Sequence, residues 1–287
     1  MLIAQITDIH LGFERDNAQE LNRRRLDSTI EALLAVEPTP DLLILSGDLA
    51  DRGEALSYRQ VRDALAVLPF PIAACVGNHD SRSNFCAAFP DTPLFDGFVQ
   101  YVLDDWPLRI VTIDTLEEGR HDGAFCERRA RWLDERLGEA PGMPVLLVLH
   151  HPPVPTGINW MTSQSQEPWA VRLSGVVSRH NQVIAAVCGH LHRPMIAPWA
   201  GTTLIVCPPV APLVVLDLSP MDQPDHRPMI VADPPGYALH LWTAGGLVTH
   251  FGAAESGEVL ARYDQTMHAL VRSFGAERDE RERPAGP

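Results

Sequence analysis

Short apolar runs and helix-like patterns alternate through the first two-thirds of the chain. Runs rich in Val, Ile and Leu predict strands at Leu2–Thr7, Leu42–Ser46, Ile72–Val76, Arg109–Ile113, Val145–Leu149 and Val183–Cys188. Because these runs lack strict alternation of apolar and polar residues, they are typical of strands buried on both faces. Apolar residues at helical spacing predict helices over Leu21–Val36, Glu54–Leu68 and Glu127–Leu137. This order favours a layered α/β fold.

The pattern changes after about Pro208, where prolines become frequent and helical signals become rare. A short apolar run at Val214–Leu218 predicts a strand. The runs Tyr237–Trp242 and Leu247–Phe251 are separated by small residues and predict a hairpin. A helix is predicted over Glu258–Phe274.

These signals divide the chain into three predicted parts. Residues 1–207 form the core, and residues 208–274 form a β-rich segment that ends in a helix. We expect this segment to cover the functional site or to join copies of the chain into a homodimer or higher homo-oligomer. Residues 275–287 are charged and contain Pro and Gly, so we predict a disordered tail.

The composition excludes several classes of partner. The formal net charge is -14, which disfavours binding to nucleic-acid polymers and to anionic membrane surfaces. The five cysteines include no C-x-x-C spacing, as expected in a reducing compartment. The N-terminus lacks a basic region before its apolar run, and no apolar stretch approaches the roughly 20 residues of a transmembrane helix. We therefore expect a cytoplasmic protein without membrane contact.

Polar residues that can bind metals follow five of the predicted strands. They are Asp8 and His10; Asp48; Asn78, His79 and Asp80; His150 and His151; and His190 and His192. The carboxyl ends of strands form the ligand crevice of open α/β sheets, so we expect these side chains to converge on one place.

The chemistry of this set favours a dinuclear metal site. The available ligands are Asp8, His10, Asp48, Asn78, His150, His190 and His192, which include no thiolate. Imidazole, carboxylate and amide groups suit iron, manganese, zinc or cobalt. Seven side chains exceed the needs of one ion, whereas two divalent ions about 3.5–4 Å apart would use them all if one carboxylate bridges. Gly47, Gly77 and Gly189 precede ligands, where the chain must turn sharply or approach closely.

The ordered motifs resemble those of the calcineurin-like metallophosphoesterase superfamily. They are Asp8-Ile9-His10, Gly47-Asp48-Leu49-Ala50-Asp51, Gly77-Asn78-His79-Asp80, His150 and Gly189-His190-Leu191-His192. The resemblance implies a two-sheet β-sandwich flanked by helices, with the dinuclear site at the strand ends. It also implies that Asp8, His10 and His192 hold one ion, that Asn78, His150 and His190 hold the other, and that Asp48 bridges them.

Within the superfamily, the chain is more similar to class III cyclic-nucleotide phosphodiesterases and bacterial glycerophosphodiesterases. The segments His150-His151-Pro152-Pro153 and Gly189-His190-Leu191-His192-Arg193-Pro194 carry this likeness. We therefore expect a metal-dependent phosphoric diester hydrolase that acts on small phosphodiesters. Cyclic nucleotides such as 3',5'-cyclic AMP are the first expected substrate, and glycerophosphodiesters or a broader set of phosphoesters are the second.

A mechanism follows from this assignment. We expect bound metal ions to supply the hydroxide for attack on phosphorus; His79 would stabilise or protonate the leaving oxygen, and Asp80 would orient the His79 ring. We expect substrate contacts from Asn78, His79, His192, Trp160 and Met161.

Two neighbouring residues are expected to have structural roles. Asp51 is predicted to cap the helix after Glu54 and to hydrogen-bond the ligand loop, and His151 is predicted to pack or to fix its loop.

Two other classes of function compete with this interpretation. The block Gly47-Asp48-Leu49-Ala50-Asp51-Arg52-Gly53 fits a phosphoprotein phosphatase, but Cys75-Val76 stands where that family usually has an arginine. A non-catalytic scaffold with the same fold usually loses metal ligands or the active-site histidine, and this chain retains all of them.

Overall fold

The structure is a computed structural model that describes residues 1–161, 166–220, 226–255, 257–265 and 267–273. The chain divides into two compact units, Met1–Glu255 and Ser256–Pro287. In the second unit, the described helical residues are 265 and 267–273. The helix predicted over Glu258–Phe274 therefore begins later than expected, because residues 257–264 are not helical. The predicted disordered tail lies outside the described residues.

The first unit contains the strands and the longer helices. The strands are β1 (Leu2–Ile6), β2 (Leu42–Ser46), β3 (Ile72–Cys75), β4 (Tyr101–Leu103), β5 (Arg109–Thr112), β6 (Val145–Val148), β7 (Val183–Cys188), β8 (Met195–Trp199), β9 (Thr202–Val206), β10 (Leu213–Val214), β11 (Ile230–Val231), β12 (Gly236–Thr243) and β13 (Gly246–Ala253). The helices are α1 (Leu21–Leu34), α2 (Ala55–Leu65), α3 (Arg82–Ala88), α4 (Glu127–Gly138) and α5 (Pro168–Val177).

Two mixed sheets form the frame of this unit. The first sheet has the strand order β13-β12-β1-β2-β3, and the second has the order β4-β5-β6-β7-β9-β8. The pairs β1–β2, β2–β3, β5–β6 and β6–β7 are parallel, as expected for strands joined through helices. The short strands β10 and β11 pair separately.

Three apolar layers show how the sequence pattern produces a sandwich. One layer joins the facing sides of the two sheets and includes Ile3, Ile44 and Leu146. A second joins β1–β3 to α1 and α2, and a third joins β5–β7 to α4 and α5. Successive side chains of a strand point to opposite faces, so both faces of the central strands must be apolar. This arrangement confirms the predicted two-sheet sandwich flanked by helices.

The strands predicted for residues 208–274 have different positions. The hairpin is confirmed as β12 and β13, and β12 pairs antiparallel with β1, so the hairpin extends the first sheet. The strand predicted at Val214–Leu218 is shorter, because the described pairing ends at Val214 while Leu216 and Leu218 are exposed. Among the described residues, none of the helices is both long and apolar enough to cross a membrane.

Candidate metal centre

The predicted ligands lie together at the strand ends, on an unusual backbone. Asp8, His10, Asp48, His190 and His192 all have positive φ values, between 50° and 70°. Such values are uncommon outside glycine and cost of order 1–3 kcal/mol each, so the surrounding structure must hold them. Part of that support comes from the backbone, where Ile9 N and His10 N both donate to Asp48 O.

One group of ligands combines both sheets. Asp8 and His10 follow β1, and His192 follows β7. The Nε2 atoms of His10 and His192 are 3.0 Å apart, and His192 Nε2 is 3.5 Å from Asp8 Oδ1. These three side chains offer ligand atoms that all lie within 4.8 Å of one another.

Hydrogen bonds at Nδ1 of His10 and His192 determine which ring nitrogen carries the proton, and so which one can bind a metal ion. His10 Nδ1 lies 3.3 Å from Asp51 Oδ1, and His192 Nδ1 lies 3.0 Å from the carbonyl oxygen of Pro212. In neutral rings the proton then belongs on Nδ1, because these oxygens are acceptors. Both Nε2 atoms are left with lone pairs that face each other at 3.0 Å. A cation between them would turn this repulsion into coordination, so the residues fit a metal ion.

A second group surrounds Asn78. Its Oδ1 atom lies 2.8 Å from His190 Nδ1 and 3.2 Å from His150 Nε2. His150 Nδ1 lies 2.8 Å from Ser46 O, so in a neutral ring Nε2 again carries the inward lone pair. Two imidazoles and an amide oxygen form a second set of nitrogen and oxygen donors.

Asp48 lies between the two groups. Its Oδ2 atom is 3.2 Å from His150 Nε2 and 3.5 Å from His10 Nε2, while its Oδ1 atom accepts a hydrogen bond of 2.8 Å from His79 N. One carboxylate is therefore shared by donors of both sets, as a bridging ligand requires.

The two buried carboxylates of the centre favour the binding of a cation. Asp8 and Asp48 are both buried, and in the described ion pairs their carboxylates meet only histidines. Burial raises the pKa of Asp8 to about 6. Burial also raises the pKa of Asp48, but His150, His10 and His79 together lower it, and the net pKa is well below the usual value. In turn, burial lowers the pKa of His150, but Asp48 and Asp8 raise it to about 9.

The surroundings of His79 differ from the prediction. The ring does not take Asp80 as its partner; His79 Nδ1 donates to Asp51 O at 2.8 Å. The role predicted for Asp80, orienting this ring, is therefore corrected. The predicted helix cap by Asp51 is also wrong, because no side-chain cap bond forms at α2, whereas its contact with ligand His10 was expected.

Asp80 holds the two ligand loops together instead. Its carboxylate accepts hydrogen bonds from Leu49 N at 3.1 Å, Gly77 N at 2.8 Å and the hydroxyl of Tyr58 at 2.8 Å. The Tyr58 oxygen in turn accepts from Ser81 N at 2.8 Å. Asp80 and Tyr58 are buried, so this network fixes the loops from behind.

Glycine is required where loops meet closely. A Cβ atom on Gly189 would lie 1.9 Å from Thr7 Oγ1 and 2.7 Å from Asp8 Oδ2. Gly47 has φ +97°, and a Cβ atom there would lie 2.5 Å from His150 Nδ1. The predicted close approach at these two glycines is confirmed.

An open cavity of about 390 Å³ gives access to the centre. Its walls include the predicted contact residues Asn78, His79, His192, Trp160 and Met161. They also include His121, whose Nδ1 atom lies 3.5 Å from Asn78 Nδ2. His121 was missed because it lies far beyond the end of β5, so a search limited to strand ends passes over it.

His151 lies behind this cavity. It is buried, its Nδ1 lies 2.8 Å from Thr115 Oγ1, and it groups with His150 and His190 within 4.8 Å. Burial lowers the pKa of His151 well below its usual value, so the ring is neutral. The contact with Thr115 joins the loops after β5 and β6, in keeping with the predicted structural role.

Comparison with known proteins establishes the family. The chain belongs to the calcineurin-like phosphoesterase family, whose pattern matches residues 1–194. The fold of this family implies a dinuclear metal site, and the donor groups above are its candidate ligands. The prediction that this protein is a phosphoesterase, and so a hydrolase, is confirmed.

Curated relatives cover most of the chain. A "probable glycerophosphodiester phosphodiesterase GpdQ" of Arcobacter nitrofigilis is 31% identical over 256 residues, which are 87% of this chain and 92% of that protein. A "probable cyclic nucleotide phosphodiesterase" of Synechococcus sp. is 36% identical over 211 residues, which are 73% of this chain and 80% of that protein.

Solved structures support the fold. The crystal structure of a dimetal phosphatase from Danio rerio aligns with a TM-score of 0.64 at 15% identity, covering 89% of this chain and 96% of that one. At this identity the likeness concerns the sandwich architecture alone.

Proposed function

We propose that this protein is a dinuclear-metal phosphodiesterase that hydrolyses small phosphodiesters. The observation that carries the proposal is the position of the Asp48 carboxylate. Its Oδ2 atom lies within 3.5 Å of a histidine nitrogen from each of the two candidate ligand groups. An open cavity lies beside these groups, so a substrate phosphate can reach them.

The donor atoms indicate which ions fit. Nitrogen and oxygen ligands without thiolate suit two divalent ions per chain, chosen from iron, manganese, zinc or cobalt. When bound, such ions neutralise phosphoryl oxygens and lower the pKa of an attacking water towards neutrality. This positive charge would attract an anionic substrate locally, although the net charge of the chain is -14.

His79 is the proposed acid for the leaving oxygen. Its Nδ1–H is engaged by Asp51 O, so the ring can deliver a proton only from Nε2, and only in its cationic form. Its backbone N–H donates to Asp48 Oδ1 and fixes the residue beside the bridging carboxylate. The ring lines the open cavity together with Asn78 and His192, which are proposed to contact the phosphoryl group.

Cyclic nucleotides such as 3',5'-cyclic AMP are the proposed first substrate class, and glycerophosphodiesters are the second. Relatives named for both activities support this pair. Sequence likeness alone does not rank them, because the walls of the cavity are loops.

The decisive experiment compares initial rates of manganese-loaded protein on matched substrates. The substrates are cyclic AMP, a glycerophosphodiester, an activated aryl diester and the corresponding monoester, and an Asn78→Ala variant excludes a contaminating enzyme. Turnover of cyclic AMP supports the first class, and turnover of the other diesters alone moves the substrate to the second. Preference for the monoester would indicate a phosphatase, and no turnover of any substrate would favour a scaffold.

The assembly and location of the protein remain predictions. We infer that copies associate through residues 208–274 and that the protein is cytoplasmic. Light scattering that shows a monomer at micromolar concentration would refute the first inference.

A further inference from the structure

A second cavity lies beside the metal centre, and most of its lining is apolar. It has a volume of about 280 Å³. Its lining includes His10 and His192 together with the apolar side chains of Phe13, Leu21, Val214 and Ile230. His79, Trp160, Met161 and His192 line both this cavity and the larger open one. A group that extends from a phosphate at the metal centre can therefore enter the apolar cavity.

The walls of this cavity are tied to the ligand loops. Phe13 lies three residues after His10 in the chain. The preceding residue is fixed by two hydrogen bonds: Gly12 N donates to Glu20 Oε1 at 2.6 Å, and Arg52 Nη1 donates to Gly12 O at 2.9 Å. Val214 is tied to the other ligand loop, because Val214 N donates to His192 O at 3.0 Å. The apolar walls are thus placed relative to the same histidines that are proposed to bind metal.

Large apolar side chains at the mouth are unusually exposed. The exposed fractions are 61% for Phe13, 37% for Trp160 and 58% for Ile230. Exposed apolar side chains that cluster around a concave site mark a surface that binds a ligand or partner.

The side chains of Asn22, Asp51 and Glu14, which also line the cavity, have hydrogen-bond partners within the chain. Asn22 Nδ2 donates to His10 O at 2.9 Å, Asp51 accepts from His10, and Glu14 Oε2 accepts from Asn17 Nδ2 at 2.7 Å. A polyol that entered this cavity would lose its hydrogen bonds to water, and the cavity would not replace them with an equal number of hydrogen bonds to the protein. The carboxylates of Glu14 and Asp51 also repel a second anionic group.

We propose that this apolar cavity binds the organic group esterified to the scissile phosphate and selects a neutral ring, such as a nucleobase or aryl group, over a short polyol such as glycerol. The proposal rests on the proposed phosphodiesterase function. It ranks the two candidate substrate classes, because a cyclic nucleotide carries such a ring and a glycerol group does not.

The test uses two diesters with the same leaving group, 4-nitrophenyl phenyl phosphate and 4-nitrophenyl methyl phosphate. For manganese-loaded protein, we expect kcat/KM for the phenyl ester to exceed that for the methyl ester by about tenfold or more. Phe13→Ala and Ile230→Ala should each lower this ratio by about threefold or more. Leu94→Ala is the matched control, because Leu94 is an exposed apolar residue outside the cavity and should leave the ratio unchanged.

Binding gives a second readout that does not depend on turnover. Calorimetry with phenylphosphonate and methylphosphonate should show the same preference for the phenyl group and the same loss in Phe13→Ala. Equal ratios in wild type and both variants, by rate and by binding, would overturn the proposal while diester turnover upholds the phosphodiesterase function. If neither diester is hydrolysed, the phosphodiesterase proposal fails, and the phosphonates still decide whether the cavity selects a ring.

A different result is expected if the exposed residues Phe13, Trp160 and Ile230 instead form a contact with another protein chain. Phe13→Ala would then change the mass measured by light scattering and leave both ligand ratios unchanged. That result would also overturn the proposal.

Discussion

His10 Nε2 and His192 Nε2 lie 3.0 Å apart, although His10 follows a strand of the first sheet and His192 follows a strand of the second. The two ligand loops therefore meet across the edge of the sandwich. Because the proposed ligands come from both sheets, an ion bound here would connect the two halves of the fold.

The division of ligands into two groups predicts the effect of removing one histidine. His192→Ala should lower the metal content from about two ions per chain to about one, because Asn78, His150, His190 and Asp48 remain. The measurement is elemental analysis after manganese loading and dialysis. His250→Ala is the control, since it removes an exposed imidazole on β13. Two retained ions in His192→Ala would contradict the allocation.

The proposed acid role of His79 predicts a dependence on the leaving group. His79→Ala should lower kcat by about 10²–10⁴-fold for a diester with an alkyl leaving group and far less for a 4-nitrophenyl leaving group. A good leaving group departs without a proton, so only the poor one depends on the imidazolium. Rates are compared at equal metal content. Equal losses for both leaving groups would rule out the acid role.

The close contact at Gly189 predicts that a larger residue there disrupts the candidate metal site formed by Asp8, His10 and His192. Gly189→Ala places a methyl group against Thr7 and Asp8, so metal content and turnover should fall sharply. Gly175→Ala is the matched control, because a Cβ atom there has no neighbour within 4 Å, and alanine favours helix α5 by up to about 1 kcal/mol. Circular dichroism checks that both variants fold. A fully metallated Gly189→Ala would show that the loops can separate without loss.

The network behind the ligand loops predicts a stability difference between two buried tyrosines. Tyr58→Phe removes a donor to Asp80 and an acceptor for Ser81 N, and should lower the free energy of unfolding by about 1–3 kcal/mol. Tyr101→Phe removes the hydroxyl bond to Ala74 O but takes no acceptor from a backbone N–H, so it should cost less. Urea titration measures both. An equal or smaller cost at Tyr58 would argue against the network.

Much of the central fold follows from the sequence, because its signals are strong there. The six predicted strands differ from the observed ones by at most one residue at either end, since most residues on both faces of these strands are apolar. Helices α3 and α5 were missed. Helix α3 has seven residues, which is too short for a clear helical period. Helix α5 begins with Pro168 in its first turn, a start signal that could have predicted it.

Some residues of the candidate site can be predicted from the sequence, and others cannot. Residues directly after strands could be found, because strand ends converge in any parallel sheet. His121 could not, because a long loop brings it to Asn78. The partner of the His79 ring was also beyond sequence reasoning. It is a backbone carbonyl, and every residue has one.

The most direct test of the dinuclear phosphodiesterase is the initial rate on an aryl diester as manganese is added to metal-free protein. The account predicts a low rate through the first equivalent per chain and a rise that saturates near two equivalents, because both ligand groups must be filled. A full rate at one equivalent per chain would contradict the account.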